Sequence, residues 1–175
     1  MSDKKYTFFW SGPFSQWYPS TFVINGIEFN CAEQWMMFCK ATLFNDVETR
    51  HKIMATSNPK NQKAFGRQVA NFQPDIWNNI ARFLVYQGSL AKYSQNNELF
   101  VELAKTRGTT LVEASPYDTV WGIGLNAEDA ANTPESEWRG YNWLGQVLTQ
   151  LREDLLEDIA AQVLGSRSMA PLLQF

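Results

Sequence analysis

The stretch Asn30-Cys31-Ala32-Glu33-Gln34-Trp35-Met36-Met37-Phe38-Cys39-Lys40-Ala41 decides how the rest of the chain reads. Asn30 can cap the first free N–H groups, Glu33 stands three residues on, and neither Gly nor Pro interrupts the run to Ala41, so the segment predicts a helix. A helix turns ~100° per residue, which stacks Glu33, Met36 or Met37, and Lys40 along one side, the lysine roughly 10 Å beyond the acid. An acid and a base then share one apolar wall. The same spacing also fits a capping box, in which Glu33 only returns a hydrogen bond to the cap residue.

Upstream, Tyr6–Trp10 reads as an aromatic strand, Ser11-Gly12-Pro13 as a turn, and Phe14–Pro19 as a constrained aromatic loop. Thr21–Ile24 and Ile27–Phe29, joined by Asn25-Gly26, predict a hairpin, because Asn-Gly readily takes the positive φ angles of a two-residue turn. That hairpin feeds the chain into the Asn30 helix.

Downstream, Ser57-Asn58-Pro59 marks a helix start with Pro in the first turn. Lys60, Lys63 and Arg67 come next as one basic stripe, either a solvated face or a clamp for phosphate. Ile76–Gln87 predicts a helix with Trp77, Ile80, Phe83 and Leu84 on one side, and Leu99–Ala104 a further amphipathic segment up to the Gly108 stop. By periodicity Trp77 belongs to the core rather than to a ligand platform. Leu111–Ala114 reads as a short strand, Ser115–Asp118 as a turn, and Glu128–Glu137 as an acidic mobile surface loop. In Trp121-Gly122-Ile123-Gly124 the glycines would let backbone approach a ligand, without the setting of a dinucleotide fingerprint. From Trp143 an apolar stripe through Leu144, Leu148, Leu151, Leu155, Ile159 and Val163 predicts a long helix ended by Gly165. Met1–Lys5 is a polar lead-in and Ser166–Phe175 a tail. Strands, several helices, a strand and a final helix, with no repeat or linker, give a single α+β domain over 1–175, helix-rich with a small antiparallel sheet.

Composition narrows the function. A chain of 175 residues, 45% hydrophobic, can bury one sizeable core without staples. Cys31 and Cys39 lie about 12 Å apart on the proposed helix, beyond disulfide reach, and unpaired thiols without a signal peptide point to the cytoplasm. No apolar run approaches membrane-spanning length. A net charge of −3 lacks the broad positive field that grips phosphate backbones, so any nucleic acid would be read locally. Seven Trp residues supply platforms for flat heterocycles as well as core.

Histidine chemistry has one candidate, His51, in a polar stretch with no nucleophile motif, and we read it as a surface residue; no metal set is apparent. Carboxylate and lysine chemistry beside aromatic surfaces remains, and it suits cleavage of an N-glycosidic bond. As that bond stretches, positive charge builds on the sugar, and a fixed carboxylate can steady it or deprotonate water. Glu33 at a helix N-terminus is expected to stay ionised, as the dipole favours the anion. Lys40 could trap the aldehyde of a ring-opened sugar as a Schiff base.

Phe14-Ser15-Gln16-Trp17, Ala32–Met37 with Lys40-Ala41, Pro59 with Lys63 and Gly66-Arg67, Lys92-Tyr93, Leu111–Ala114, Asp118, Trp121–Gly124, Gly140 with Asn142, and Arg152 together closely resemble the NADAR family from about Phe8 to Asp154. The resemblance implies a hydrolase of N-glycosidic bonds whose substrates carry ADP-ribose or a phosphorylated ribose, with no cofactor and no membrane. It matches Glu33 to the family's essential glutamate, Lys40 to its motif lysine, and Asp118 and Trp121 to its active-site loop. Asp118 would position the sugar or protonate the leaving nitrogen. Trp10, Ser15, Trp17, Lys63, Arg67, Trp77, Trp121, Gly122 and Asn142 would contact base, adenine or phosphate. One branch hydrolyses early riboflavin intermediates; another removes ADP-ribose from guanine in DNA or RNA, as antitoxin to a modifying enzyme. Ala32-Glu33-Gln34-Trp35 here, against the Ser-Glu-His-Tyr typical of the riboflavin branch, leans towards ADP-ribosyl guanine. A non-catalytic sensor of NAD-derived nucleotides, or a scaffold using the acidic loop, would be the alternatives.

Overall fold

Among the described residues the strands form two pairs, and helices build the body of the protein. The computed structural model describes residues 5–169, with side chains to 165; the parts of the lead-in at 1–4 and of the tail at 170–175 lie outside them. In chain order the elements are β1 (Tyr6–Phe9), β2 (Phe22–Ile24), β3 (Ile27–Phe29), α1 (Ala32–Leu43), α2 (Val47–Met54), α3 (Pro59–Gly66), α4 (Pro74–Gln95), α5 (Asn97–Lys105), β4 (Thr110–Glu113), α6 (Ala127–Ala131), a 3-10 turn (Glu135–Glu137) and α7 (Trp143–Met169). The domain is α+β, as expected. Among these residues no helix is long and apolar enough to cross a membrane.

The hairpin pairs β2 with β3 antiparallel, and Asn25 (φ 51°) and Gly26 (φ 78°) supply the two left-handed residues its tight turn requires. The second pair was not anticipated: β1 and β4 run parallel in the register Phe9↔Glu113, joined by a crossover that contains five helices. Parallel strands need both faces covered, and alternation sorts them here. Phe9 and Leu111 face the main core with Met37, Trp77, Val85, Tyr93 and Leu148, while Val112 and Ala114 face a smaller cluster with Ile123, Leu125 and the Trp138 ring.

Helix α1 is the hub, packing against α2, α3 and α4, and α4 in turn packs on α7. Its start differs from expectation. The cap residue is Cys31, without a side-chain cap bond, so Glu33 is the second helical residue rather than the third. Asn30 is drawn away: its amide donates to Ser57 O (2.6 Å) and accepts from Gln62 Nε2 (2.9 Å). Gln34 does the back-bonding, accepting from Asn30 N (2.9 Å) and donating to Ile53 O (3.2 Å). The capping-box duty falls on residue 34, and Glu33 is released from it.

Three other expectations are corrected. Helix α4 runs eight residues beyond Gln87, and its buried face is Trp77, Ala81, Val85, Ser89 and Lys92, while Phe83 is exposed. The acidic stretch 128–137 is not a plain loop but carries most of α6, capped by Asn126, and the 3-10 turn, with Tyr6 Oη donating to Glu135. Gly165 does not end α7, which continues to Met169 although its stripe leaves the core after Leu155, with Ile159 and Val163 about half exposed.

Gly88 sets how closely α4 approaches α1. A Cβ there would lie 2.1 Å from Trp35 Cδ1, and that indole is fixed by its bond to Leu84 O (2.7 Å) and by edge contact with Phe29. Gly88→Ala should therefore destabilise the protein by about 2 kcal/mol or more, although alanine is the better helix former by about 1 kcal/mol. A melting temperature equal to or above wild type would show that the helix contact is looser than described.

Candidate active site

The basic stripe on α3, the face of α1 from Glu33 to Lys40, the aromatic loop and the end of β4 line one cavity of about 1060 Å³. Ten of the twelve expected site residues line it: Glu33, Lys40, Asp118, Trp10, Ser15, Trp17, Lys63, Arg67, Trp77 and Trp121. Lys60 joins them, and since Lys60 and Arg67 are also exposed to solvent, the stripe is at once a solvated face and part of the cavity lining. Trp77 is at once 6% exposed core and cavity lining. His51 is exposed and takes no part.

The loop that carries Ser15, Gln16 and Trp17 has no regular structure, so other elements must hold it. Lys92, buried in α4, donates to Pro13 O (2.7 Å) and Ser15 O (3.1 Å), and Tyr93 Oη donates to Pro13 O (3.0 Å). Burial pulls the Lys92 ammonium down to about 7. Gln16 O accepts from Glu33 N (2.9 Å), which ties the loop to the first turn of α1. Asp118 shapes the opposite loop: Oδ1 accepts from Val120 N (2.9 Å) and Trp121 N (2.8 Å), and Oδ2 lies 3.9 Å from Lys63 Nζ. Both of its carboxylate oxygens therefore face donors.

Glu33 is 4% exposed, and its Oε1 has no hydrogen-bond partner. Burial pushes its carboxyl up to about 7, against Lys63, the Trp17 indole and Arg67, while Asp118 adds to the rise. The expectation that a helix N-terminus would keep this group ionised is therefore corrected: a terminal dipole contributes roughly 1 kcal/mol, and complete desolvation outweighs it. Lys40 projects along the same wall as expected, with Nζ 4.0 Å from the Phe72 ring centroid and 5.8 Å from that of Trp77. Burial and then Arg67 lower its pKa, with Glu33 opposing.

Two expected contacts are not brought to the cavity. Gly122 is buried in its own loop, where a Cβ would come within 2.9 Å of Asp118 O and Glu113 O. Asn142, at φ 55° before α7, accepts from Glu113 N (3.0 Å) and donates to Leu111 O (3.0 Å). Both residues fix β4. What they position is Glu113, a cavity residue that sequence reasoning passed over as part of a strand. Its Oε2 is also buried and unpartnered, and burial, then Asp118 and Glu33, push its carboxyl up to about 7 against Lys63. The signal was available: a carboxylate on the core-facing side of a strand that otherwise alternates into two apolar clusters. Among the described residues no group of three or more His, Cys, Asp or Glu is placed to hold a metal ion.

The family model described as the NADAR domain matches residues 8–156. An N-glycosidase of Acanthamoeba polyphaga mimivirus is 47% identical over 146 residues, covering 81% of this chain and 86% of that protein. The riboflavin biosynthesis protein PYRR of Arabidopsis thaliana is 32% identical over 109 residues, covering 60% of this chain but 16% of its own length. The NMR structure of the E. coli protein YbiA superposes with a TM-score of 0.73 at 24% identity, over 91% of this chain and 90% of that one, which shows the fold. With the match running through nearly every element from β1 to α7, the chain belongs to the NADAR family.

Proposed function

We propose that this protein hydrolyses the bond between the ribose carbon of an ADP-ribosyl group and a base nitrogen, most readily that of guanine. Its class, a hydrolase of N-glycosyl bonds, is the one by which the mimiviral relative is named. The observation that carries the reading is the Glu33 carboxyl, buried without a partner for Oε1 in a cavity lined by Lys60, Lys63 and Arg67 together with the indoles of Trp17, Trp77 and Trp121. A buried carboxylate oxygen left without a partner costs stability and is retained where a ligand or reaction completes it.

Glu33 in its ionised form takes a proton from water or steadies the oxocarbenium-like sugar. The α3 cations, above all Arg67 with its forked donor, hold the pyrophosphate. Trp17, Trp77 and Trp121 provide apolar faces for the rings, and Asp118 keeps its loop in place for the sugar. Lys40, desolvated beside two aromatic rings, assists as a cation or as a transient nucleophile on a ring-opened sugar. Size favours the ADP-ribosyl substrate. About 1060 Å³ stands at the upper end of ligand sites, which run from roughly 300 to 1,000 Å³, and suits two ring systems joined by a pyrophosphate better than a single phosphoribosyl ring. Partial similarity to a riboflavin biosynthesis protein keeps early riboflavin intermediates as the second reading.

Chromatographic assay of ADP-ribosylated guanosine against phosphoribosyl riboflavin intermediates decides between the two; release of base from the second alone would reverse the assignment, and binding of ADP-ribose without release from either would make the protein a sensor.

Glu33→Gln should abolish turnover and also stabilise the fold in a pH-dependent way. The folded carboxyl keeps its proton up to about 7 and the free one only to 4.5, so burial carries no ionisation penalty below pH 4.5 and a growing one above it. Above pH 7 that penalty is about 3 kcal/mol. The variant should melt higher than wild type at pH 8, with the gap closing towards pH 4.5. Retained activity with about 1 kcal/mol lost would mark Glu33 as a cap.

A further inference from the structure

An amine nitrogen leaves a sugar poorly unless it is protonated as the bond breaks, so an N-glycosidase needs a source of a proton as well as a base. Asp118 is ill placed to supply it, because Oδ1 is occupied by two backbone N–H groups and Oδ2 faces Lys63. Among the described residues the buried side-chain oxygens left without a partner are Glu33 Oε1 and Glu113 Oε2, and both residues line the same cavity. They arrive from different elements, Glu33 from the first turn of α1 and Glu113 from the end of β4, on the strand face it shares with Leu111.

Glu113 is held with little freedom. Asn142 Oδ1 accepts its N–H (3.0 Å), its carbonyl accepts from Ile123 N (3.0 Å), and Gly122 leaves no room beside that carbonyl. The carboxyl alone is uncommitted. We propose that Glu113 is the proton donor to the departing base nitrogen, with Glu33 as its complementary base. This rests on the N-glycosidase reading, though not on which base departs.

The charges that act on the Glu113 carboxyl are Asp118 from the neighbouring loop, Lys63 from α3 and Glu33 from α1, and Lys40, Lys60 and Arg67 line the same cavity. Two desolvated carboxyls in one cavity cannot both ionise freely, so near neutrality one keeps its proton, the division of labour that acid–base hydrolysis requires. In the step itself the C1′–N bond breaks with its electron pair going to nitrogen, which takes the proton of Glu113. Water oxygen bonds to C1′ and gives a proton to Glu33. The products are the base with a new N–H and the sugar with a 1′-hydroxyl. Glu33 is left protonated and Glu113 ionised, and one proton exchanged through solvent restores the starting state.

The test compares pH–rate profiles of wild type, Glu113→Gln, Glu113→Asp and Asp118→Asn on ADP-ribosylated guanosine, with melting temperature and ADP-ribose affinity measured in parallel. Wild type should give a bell whose alkaline limb reports the donor. Glu113→Gln should bind ADP-ribose within about twofold of wild type, lose roughly 10²–10⁴-fold in kcat and lose the alkaline limb. Glu113→Asp should recover part of the rate with the limb present. Asp118→Asn should be slower with its limb intact. An alkaline limb that persists in Glu113→Gln would assign it to another group, Lys40 first, and overturn the proposal; so would an unchanged kcat. If wild type releases no base from any substrate while it binds ADP-ribose, the hydrolase reading itself fails and this assignment with it.

Discussion

The constraint on which the protein depends is the complete desolvation of one carboxylate at the head of its central helix. Glu33 has the helix N-terminus, Lys63, Arg67 and the Trp17 indole on its side, all of which favour the anion, and burial still prevails. A carboxyl in that balance can change charge near neutral pH. On a surface, the same residue at the same helix position would be permanently ionised and chemically inert.

Keeping it so requires that no local group satisfy it, and the polar network around α1 does that. Had Asn30 capped the helix, the residue three positions on would have turned back to the cap and spent its carboxylate there. Instead Gln62 and Ser57 O take the Asn30 amide, the cap shifts to Cys31, and the helical turn of about 100° per residue brings Gln34, not Glu33, to the back-bonding position. Gln34 then reaches Ile53 O and Gln62 reaches Thr56 O (2.8 Å), which fastens α1, α2 and the start of α3 together. One network of neutral amides both builds the corner and leaves the acid uncommitted.

Much of this was legible in the sequence, for reasons that are local. Asn25-Gly26 dictated the hairpin, Asn58-Pro59 the start of α3, and the α3 cations and the indoles stood out by spacing or resemblance without any sign of the cavity they share. What escaped depends on contacts far apart in the chain. The parallel pairing of β1 with β4 spans about a hundred residues and leaves no periodic trace. The cap register of α1 was set by Gln62, some thirty residues away. The raised pKa of Glu33 came from burial, which helix position alone could not report. Gly122 and Asn142 were rightly marked as special, but their partner is the backbone of Glu113 rather than a ligand.

The cavity gathers charges of both signs from separate elements. Cations come from α3 and from Lys40, carboxyls from the head of α1, the end of β4 and the loop after it. A phosphorylated sugar, the substrate class proposed above, is itself polarised, with anionic oxygens at one end and a carbon that turns cationic at the other, so a cavity holding both cations and carboxyls offers a partner to each. Lys63 links the two sets of charges: it lies 3.9 Å from Asp118 and holds down the pKa of both Glu33 and Glu113. A pyrophosphate bound against Lys63 would offset that influence and let both carboxyls hold protons more tightly, while charge developing on the sugar would draw the base back towards its anion. Binding and bond-breaking thus pull the same carboxyl in opposite directions, and a group already balanced near neutrality is the one that can answer both.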